Sequence, residues 1–181
     1  MELLLIRHPK PAGAPGGRYG GTDLALAVDP AAVAARLAPH LPGDGPIISS
    51  PLSRCRLLAQ ALAGGRPVRL EPRLREIHFG AWEMQPWARI ERAAIDAWAA
   101  DPFGFRPPGG ETAEEMSVRA LACLAEWLRP PRPPALIVVA HGGPLRAIAG
   151  HVRGLPQRQW LQQSIEVGEL VRLNPDLPRG E

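Results

Sequence analysis

Four consecutive apolar side chains, Leu3, Leu4, Leu5 and Ile6, stop at Arg7-His8, and a second run, Leu136-Ile137-Val138-Val139-Ala140, stops at His141-Gly142-Gly143. A strand with one wetted face alternates apolar and polar residues, whereas an unbroken short run fits a strand covered on both faces, as inside a parallel sheet. Open α/β sheets bind their ligands beyond the carboxyl ends of their strands. Both histidines stand at such ends, and Arg7 sets a fixed positive charge beside one of them.

The remaining pattern agrees with a layered α/β domain. The first strand covers about residues 2–7, followed by a Gly/Pro-rich loop over 9–22 that carries Arg18 and Tyr19. Asp29-Pro30 predicts a helix start, an aspartate cap followed by proline at the first helical position, and that helix runs to about His40. Ile47-Ile48-Ser49-Ser50 reads as a short strand. A helix opened by Pro51 keeps Leu52, Cys55, Ala59 and Leu62 on one stripe, with Arg54 off that stripe in its first turn. Val68-Arg69-Leu70 reads as an edge strand.

Residues 75–83 are turn-like, and a helix is expected over about 87–100. Another follows Glu111-Thr112 to about Leu128, with Met116, Ala120, Cys123, Leu124 and Trp127 on one face. Pro144 is expected to open a helix after the 136–140 strand, and residues 165–173 to form a last strand. Helices alternating with apolar strands predict three α/β/α layers around a mostly parallel sheet, in a single domain over 1–181.

Composition narrows the function. With 181 residues, 45% hydrophobic and 22% charged, the chain has the makeup of an ordinary globule with one core. About half of its 22 prolines and 19 glycines cluster at 9–21, 42–46, 107–110 and 130–134, as turns would. The net charge of +3 comes from arginine, since Lys10 is the one lysine. That excess suits small anionic ligands, without the dense basic run of a nucleic-acid track. The first apolar run is too short for a signal peptide or a spanning helix, so no membrane association and a cytoplasmic location are expected. Cys55 and Cys123 read as buried free thiols. No histidine pair has metal-ligand spacing, and the chain lacks Gly-x-x-x-x-Gly-Lys, Gly-x-Gly-x-x-Gly and Gly-x-Ser-x-Gly. Neither metal nor cofactor is expected, and the usual nucleotide and serine-hydrolase readings fall away.

What remains suits phosphoryl transfer. Guanidinium forks match phosphate oxygens bidentately; Arg7 follows a strand and Arg54 begins a helix after a strand, so both can point into one crevice. Helix starts near Pro51 and Pro144 add backbone donors. A neutral imidazole held through its other nitrogen can attack phosphorus. Arginines nearby suppress its protonation, and a second histidine can donate to the phosphoryl oxygens. His8 and His141 are the candidates. A carboxylic acid must protonate the leaving oxygen and then activate water. Glu76 is the candidate, with burial against Phe79 or Trp82 expected to raise its pKa; by spacing, Glu83 or Glu111 would serve nearly as well. His40, His78 and His151 read as structural or exposed.

In order along the chain, Leu5-Ile6-Arg7-His8, Tyr19-Gly20-Gly21-Thr22-Asp23-Leu24, Ser49-Ser50-Pro51-Leu52-Ser53-Arg54, Leu74-Arg75-Glu76 with Phe79-Gly80-Ala81-Trp82-Glu83, Pro108-Gly109-Gly110-Glu111-Thr112 and Val139-Ala140-His141-Gly142-Gly143 resemble the motifs of the histidine phosphatase superfamily, the phosphoglycerate-mutase-like group. The resemblance spans essentially the whole chain. It implies a metal-independent phosphomonoesterase acting on a small phosphorylated metabolite. His8 would be phosphorylated, Arg7, Arg54, His141 and Gly142 would hold the phosphoryl group, and Glu76 would donate the proton. Tyr19, Thr22, Glu83 and Glu111 would be substrate contacts.

Arg-His-Pro-x-Pro with the following Tyr-Gly segment is most similar to α-ribazole phosphatases, which act in cobalamin biosynthesis. Three departures stand out. Pro9 replaces the usual glycine and removes a backbone N–H. Ala14 lies near where the mutase branch often has asparagine, and Met84 follows Trp82-Glu83 in place of glycine. A mutase, and a non-catalytic phospho-ligand binder on the same fold, are the competing readings.

Overall fold

A computed structural model describes residues 1–13 and 19–176; Ala14 and Arg18 lie outside the described residues. Five strands form one sheet in the order β3-β2-β4-β1-β5. They are β1 (Glu2–Arg7), β2 (Ile47–Ser49), β3 (Val68–Leu70), β4 (Ala135–Ala140) and β5 (Leu170–Leu173). The first four are mutually parallel, and β5 runs antiparallel on the edge of β1.

The side-chain period of two divides each central strand between two cores. Leu3 and Leu5 of β1 and Leu136, Val138 and Ala140 of β4 pack on one face with Ala120, Cys123, Leu124, Leu145 and Ile148. Those partners come from α4 (Ala113–Trp127) and α5 (Gly142–Val152). Leu4, Ile6, Ile137 and Val139 pack on the other face with Ala34, Leu37, Cys55 and Leu58. These come from α1 (Pro30–Leu37) and α2 (Ser53–Ala63). Complete burial of both faces explains the unbroken apolar runs, at about 1.5–3 kcal/mol per large aliphatic side chain.

This topology also creates the site. The helix after β1 covers one face of the sheet and the helix after the adjacent β4 covers the other, so the chain diverges between the two strand ends. That divergence opens a crevice at the switch point of the sheet. The register Arg7↔Ala140 makes His8 and His141 the next residue of each strand, and the His8 N–H still donates to the Ala140 carbonyl at 3.1 Å.

Several elements differ from their sequence readings. The Asp29 carboxylate caps α1 as expected, and Thr112 and Glu115 form a capping box on α4. However, α2 starts at Ser53, because Leu52 is still extended with ψ at 138°. The helix expected from residue 87 begins at Arg92 as α3 (Arg92–Ala100), after a 3₁₀ turn over Trp87–Arg89 and an extended Ile90. Pro144 lies inside α5, whose N-cap is His141. A 3₁₀ segment, Gln157–Gln162, carries no strong periodic signal in the sequence.

The last strand is shorter than residues 165–173. Gly168 turns at φ +72°, and its N–H donates to the carbonyls of Arg7 and His8 at 3.1 and 3.2 Å. Residues 165–169 thus wrap the carboxyl end of β1 before β5 begins. No helix among the described residues is long and apolar enough to cross a membrane.

Candidate functional site

His8 and His141 meet edge to face, with ring centroids 5.0 Å apart. Both are buried, at 2% and 0% exposure. The His8 Nδ1 lies 2.7 Å from the Pro9 carbonyl. A carbonyl only accepts, so Nδ1 carries the proton and Nε2 keeps its lone pair. Pro9 lacks an N–H, yet its carbonyl fixes the tautomer that a nucleophilic imidazole needs. Burial, seconded by the charges of Arg54 and Arg7, brings the His8 pKa down to about 4 against the opposing pull of the Pro9 carbonyl. Desolvation thus outweighs the arginines that sequence reasoning credited with this shift.

A pH prediction follows from that shift. Between about pH 6.5 and 4 the unfolded chain binds a proton at His8 that the folded protein excludes. Folded stability is therefore full above 6.5 and falls as pH drops toward 4, by about 3 kcal/mol for His8 alone. Burial depresses His141 in the same direction, with Arg54 the next cause. Urea unfolding across pH 4–7 should show this slope, and a His8→Gln variant should flatten it. Equal slopes for the two proteins would refute the assignment.

Arg54 is fully buried on α2. Its Nε donates to the His141 Nδ1 at 3.2 Å. Nη1 donates to the Thr22 carbonyl at 2.7 Å, and Nη2 to the carbonyls of Tyr19 and Gly20 at 3.1 and 2.8 Å. Arg54 is thus a buried clamp beside His141, with four of the five N–H groups of its guanidinium directed at protein acceptors. Because Nδ1 of His141 accepts, its Nε2 holds the proton and donates to the Ser50 hydroxyl at 2.8 Å. The Cys55 thiol lies 3.3 Å from the same nitrogen, and burial holds its pKa well above the usual thiol range. Ser50, at the polar end of an otherwise apolar strand, was not singled out from the sequence. Its position after β2, whose register continues through Ser50 N–H to the Val139 carbonyl, is what brings it here.

Arg7 is half-buried, and its Nη1 donates to the Ile165 carbonyl at 2.7 Å. Its Nε is buried without a partner among the described residues. The guanidinium passes so close to Gly142 that a Cβ there would lie 3.2 Å from the arginine Cζ. A side chain on Gly142, the first residue of α5, would push the Arg7 guanidinium back by a few tenths of an ångström.

Glu76 reaches the same helix start. Its oxygens accept the Gly143 N–H at 3.1 and 3.2 Å, and Oε1 also accepts from Ile77 N–H at 3.1 Å. A helix N-terminus favours a carboxylate, and Gly143 is two residues beyond His141. The contact sought against Phe79 or Trp82 is instead a contact with α5. Arg119 of α4 fastens the segment by donating to the carbonyls of Arg73, Arg75 and Glu76 at 2.7, 2.7 and 3.1 Å.

The four residues expected as substrate contacts, Tyr19, Thr22, Glu83 and Glu111, are half-buried and hydrogen-bonded within the protein. Glu83 accepts the N–H groups of Gly21, Thr22 and Phe79 and the Thr22 hydroxyl, at 2.6–3.2 Å. Its carboxylate therefore has no need of a substrate donor. Glu111 binds Arg119 and the His78 N–H. Tyr19 offers Arg54 its carbonyl and places its ring 5.4 Å from the guanidinium carbon. Asp23 caps α2 through the Ser53 N–H and hydroxyl, both at 2.8 Å. Loop 19–23 is thereby stitched down at three points. Gly20 must be glycine, since a Cβ would meet the Ile77 carbonyl oxygen at 1.7 Å. Met84 takes φ +59°, where an L side chain costs roughly 1–2 kcal/mol, which accounts for glycine as the commoner occupant.

His40 and His78 are exposed, and His151 lies 6.0 Å from the Trp160 ring. Among the described residues no cluster of His, Cys, Asp or Glu could hold a metal ion.

Comparison with known proteins adds three findings. A family model described as the histidine phosphatase superfamily, branch 1, matches residues 3–180. A glucosyl-3-phosphoglycerate phosphatase of Mycolicibacterium vanbaalenii is 32% identical over 178 residues, covering 88% of this chain and 77% of the relative. Among solved structures, a mycobacterial glucosyl-3-phosphoglycerate phosphatase in complex with inorganic phosphate superposes with a TM-score of 0.82 at 26% identity, covering 96% of this chain and 89% of that one. The α-ribazole phosphatase of Shigella flexneri superposes with a TM-score of 0.85 at 25% identity, covering 96% and 90%.

Proposed function

The chain belongs to the histidine phosphatase superfamily, as a phosphatase of small phosphorylated metabolites, and we propose that it works without a metal through a phosphohistidine on His8. The observation that carries this reading is the buried imidazole pair, 5.0 Å apart, in which His8 is neutral at physiological pH with Nδ1 tied to a carbonyl. Nε2 of His8 attacks phosphorus, and the leaving alkoxide departs with a proton from Glu76. Water, deprotonated by Glu76, then attacks the phosphohistidine and releases phosphate. Arg7, whose Nε has no partner among the described residues, and the start of α5 at Gly142 neutralise the three equatorial oxygens. Arg54 supplies charge and holds His141. Donation from His141 to phosphate requires that a phosphoryl oxygen replace the Ser50 hydroxyl at Nε2.

Release of inorganic phosphate from aryl and alkyl monoesters in excess chelator, with a phosphoenzyme that is acid-labile and base-stable, is the expected result. Loss of turnover in chelator would overturn metal independence. Isomerised ester in place of free phosphate would favour the mutase reading. Both α-ribazole 5′-phosphate and glucosyl-3-phosphoglycerate belong in the substrate screen, since phosphatases named for each are similar to this chain.

Replacing Glu76 by glutamine separates the proton donor from the rest. An alkyl phosphate should slow by about 10²–10⁴-fold, the usual worth of general acid catalysis, and 4-nitrophenyl phosphate far less, because its leaving oxygen needs no proton. Equal losses for the two would remove Glu76 from the role.

A further inference from the structure

The acid that protonates a leaving oxygen must touch the leaving group, so the space beside the Glu76 carboxylate decides which leaving groups fit. Two cavities border Glu76. One, about 580 Å³, adjoins Arg75, His78, Glu111 and Arg119, and there Arg119 is already paired with Glu111. The other, about 410 Å³, includes Gly143, whose N–H holds the Glu76 oxygens, and therefore lies on the carboxylate side. Phe79, Trp98, Phe103, Met116 and Leu161 give it apolar and largely aromatic walls. Two arginines, Arg146 of α5 and Arg158, also line it.

Neither arginine has a hydrogen bond or ion pair among the described residues, and Arg146 is half-buried with its Nε wholly shielded and unpartnered. Leaving a shielded donor without an acceptor costs free energy, and the cost is greater for a charge. Burial, followed by the charge of nearby Arg7, holds the Arg146 pKa below its ordinary value against the opposing pull of Glu76 and Glu166. A planar fork beside flat aromatic walls matches a carboxylate carried on a flat apolar body.

Building on the phosphatase reading, we infer that this cavity selects phosphomonoesters whose leaving group combines a flat apolar portion with a carboxylate, the carboxylate being held by Arg146 with Arg158. The phosphoryl group sits at His8, and the bridging oxygen faces Glu76.

The test compares 3- and 4-carboxyphenyl phosphate with the corresponding carbamoylphenyl phosphates, neutral esters of nearly equal shape. For at least one position, kcat/KM should favour the carboxylate by about tenfold or more, the scale of one charge-assisted hydrogen bond. Arg146→Gln should bring that ratio close to one and Arg146→Lys should keep part of it. Should Arg146→Gln not fold, Arg158→Gln, at an exposed position, must still lower the ratio. A ratio near one in the parent protein, or a ratio that survives both glutamine variants, overturns the inference while leaving the phosphatase reading intact. If no aryl phosphate turns over, the phosphatase reading fails separately. Calorimetric binding of carboxyphenyl and carbamoylphenyl phosphonates then reads the cavity directly, with equal affinities counting against it.

Discussion

Replacing His8 with alanine should lower kcat/KM by roughly 10⁴-fold or more and abolish the phosphoenzyme, as loss of a covalent nucleophile does in other enzymes. The expectation rests on tautomer and charge together. Nδ1 is committed to the Pro9 carbonyl, and burial removes the proton from Nε2 at any pH well above about 4. No neighbouring side chain duplicates that combination, because Nδ1 of His141 accepts from Arg54 and its Nε2 proton is given to Ser50. Partial recovery of His8→Gly turnover by added imidazole would place the missing group at the reacting centre. Phosphate release by His8→Ala at the parent rate would exclude the mechanism.

Arg54→Met should cost about 10²–10³-fold in kcat, comparable to removing one preorganised donor from an oxyanion site, and should also lower stability. Methionine retains an apolar stem of similar length in the buried position but satisfies none of the carbonyls of Tyr19, Gly20 and Thr22. It also frees Nδ1 of His141 to change tautomer, which would misdirect the proton now aimed at Ser50. With one of the charges that depress it gone, the His8 pKa should rise toward its ordinary value, an effect readable by NMR titration. Arg54→Lys preserves charge but cannot reach four acceptors in fixed directions, so it should remain well below the parent. A lysine variant with full activity would show that charge alone matters and that the clamp does not.

How much of this was legible in the chain depends on how local each signal is. Uninterrupted apolar runs identified the two central strands, because burial on both faces is a property of each segment taken alone. Asp29-Pro30 marked a helix start for the same reason: a cap acts within one turn. The break between residues 89 and 92 was not legible, since Trp87 to Ala100 satisfies helical periodicity whether or not Ile90 is extended. Nor was the short β5, whose start is set by Gly168 closing on the end of β1.

Within the site, residue identity and residue partnership separate in the same way. The order of Arg7, His8, Arg54, Glu76 and His141 along the chain, with the strand ends that carry three of them, came from the amino acids by themselves, as did the kind of chemistry such groups perform. Partners were decided only by the tertiary structure: Glu83 holds Gly21 and Thr22, Arg54 ties His141 to the carbonyls of Tyr19, Gly20 and Thr22, and Arg146 lies beside an apolar cavity. A hydrogen bond between residues dozens of positions apart depends on sheet register and helix placement. Those are set by packing the two cores as a whole, so no local stretch of sequence contains them.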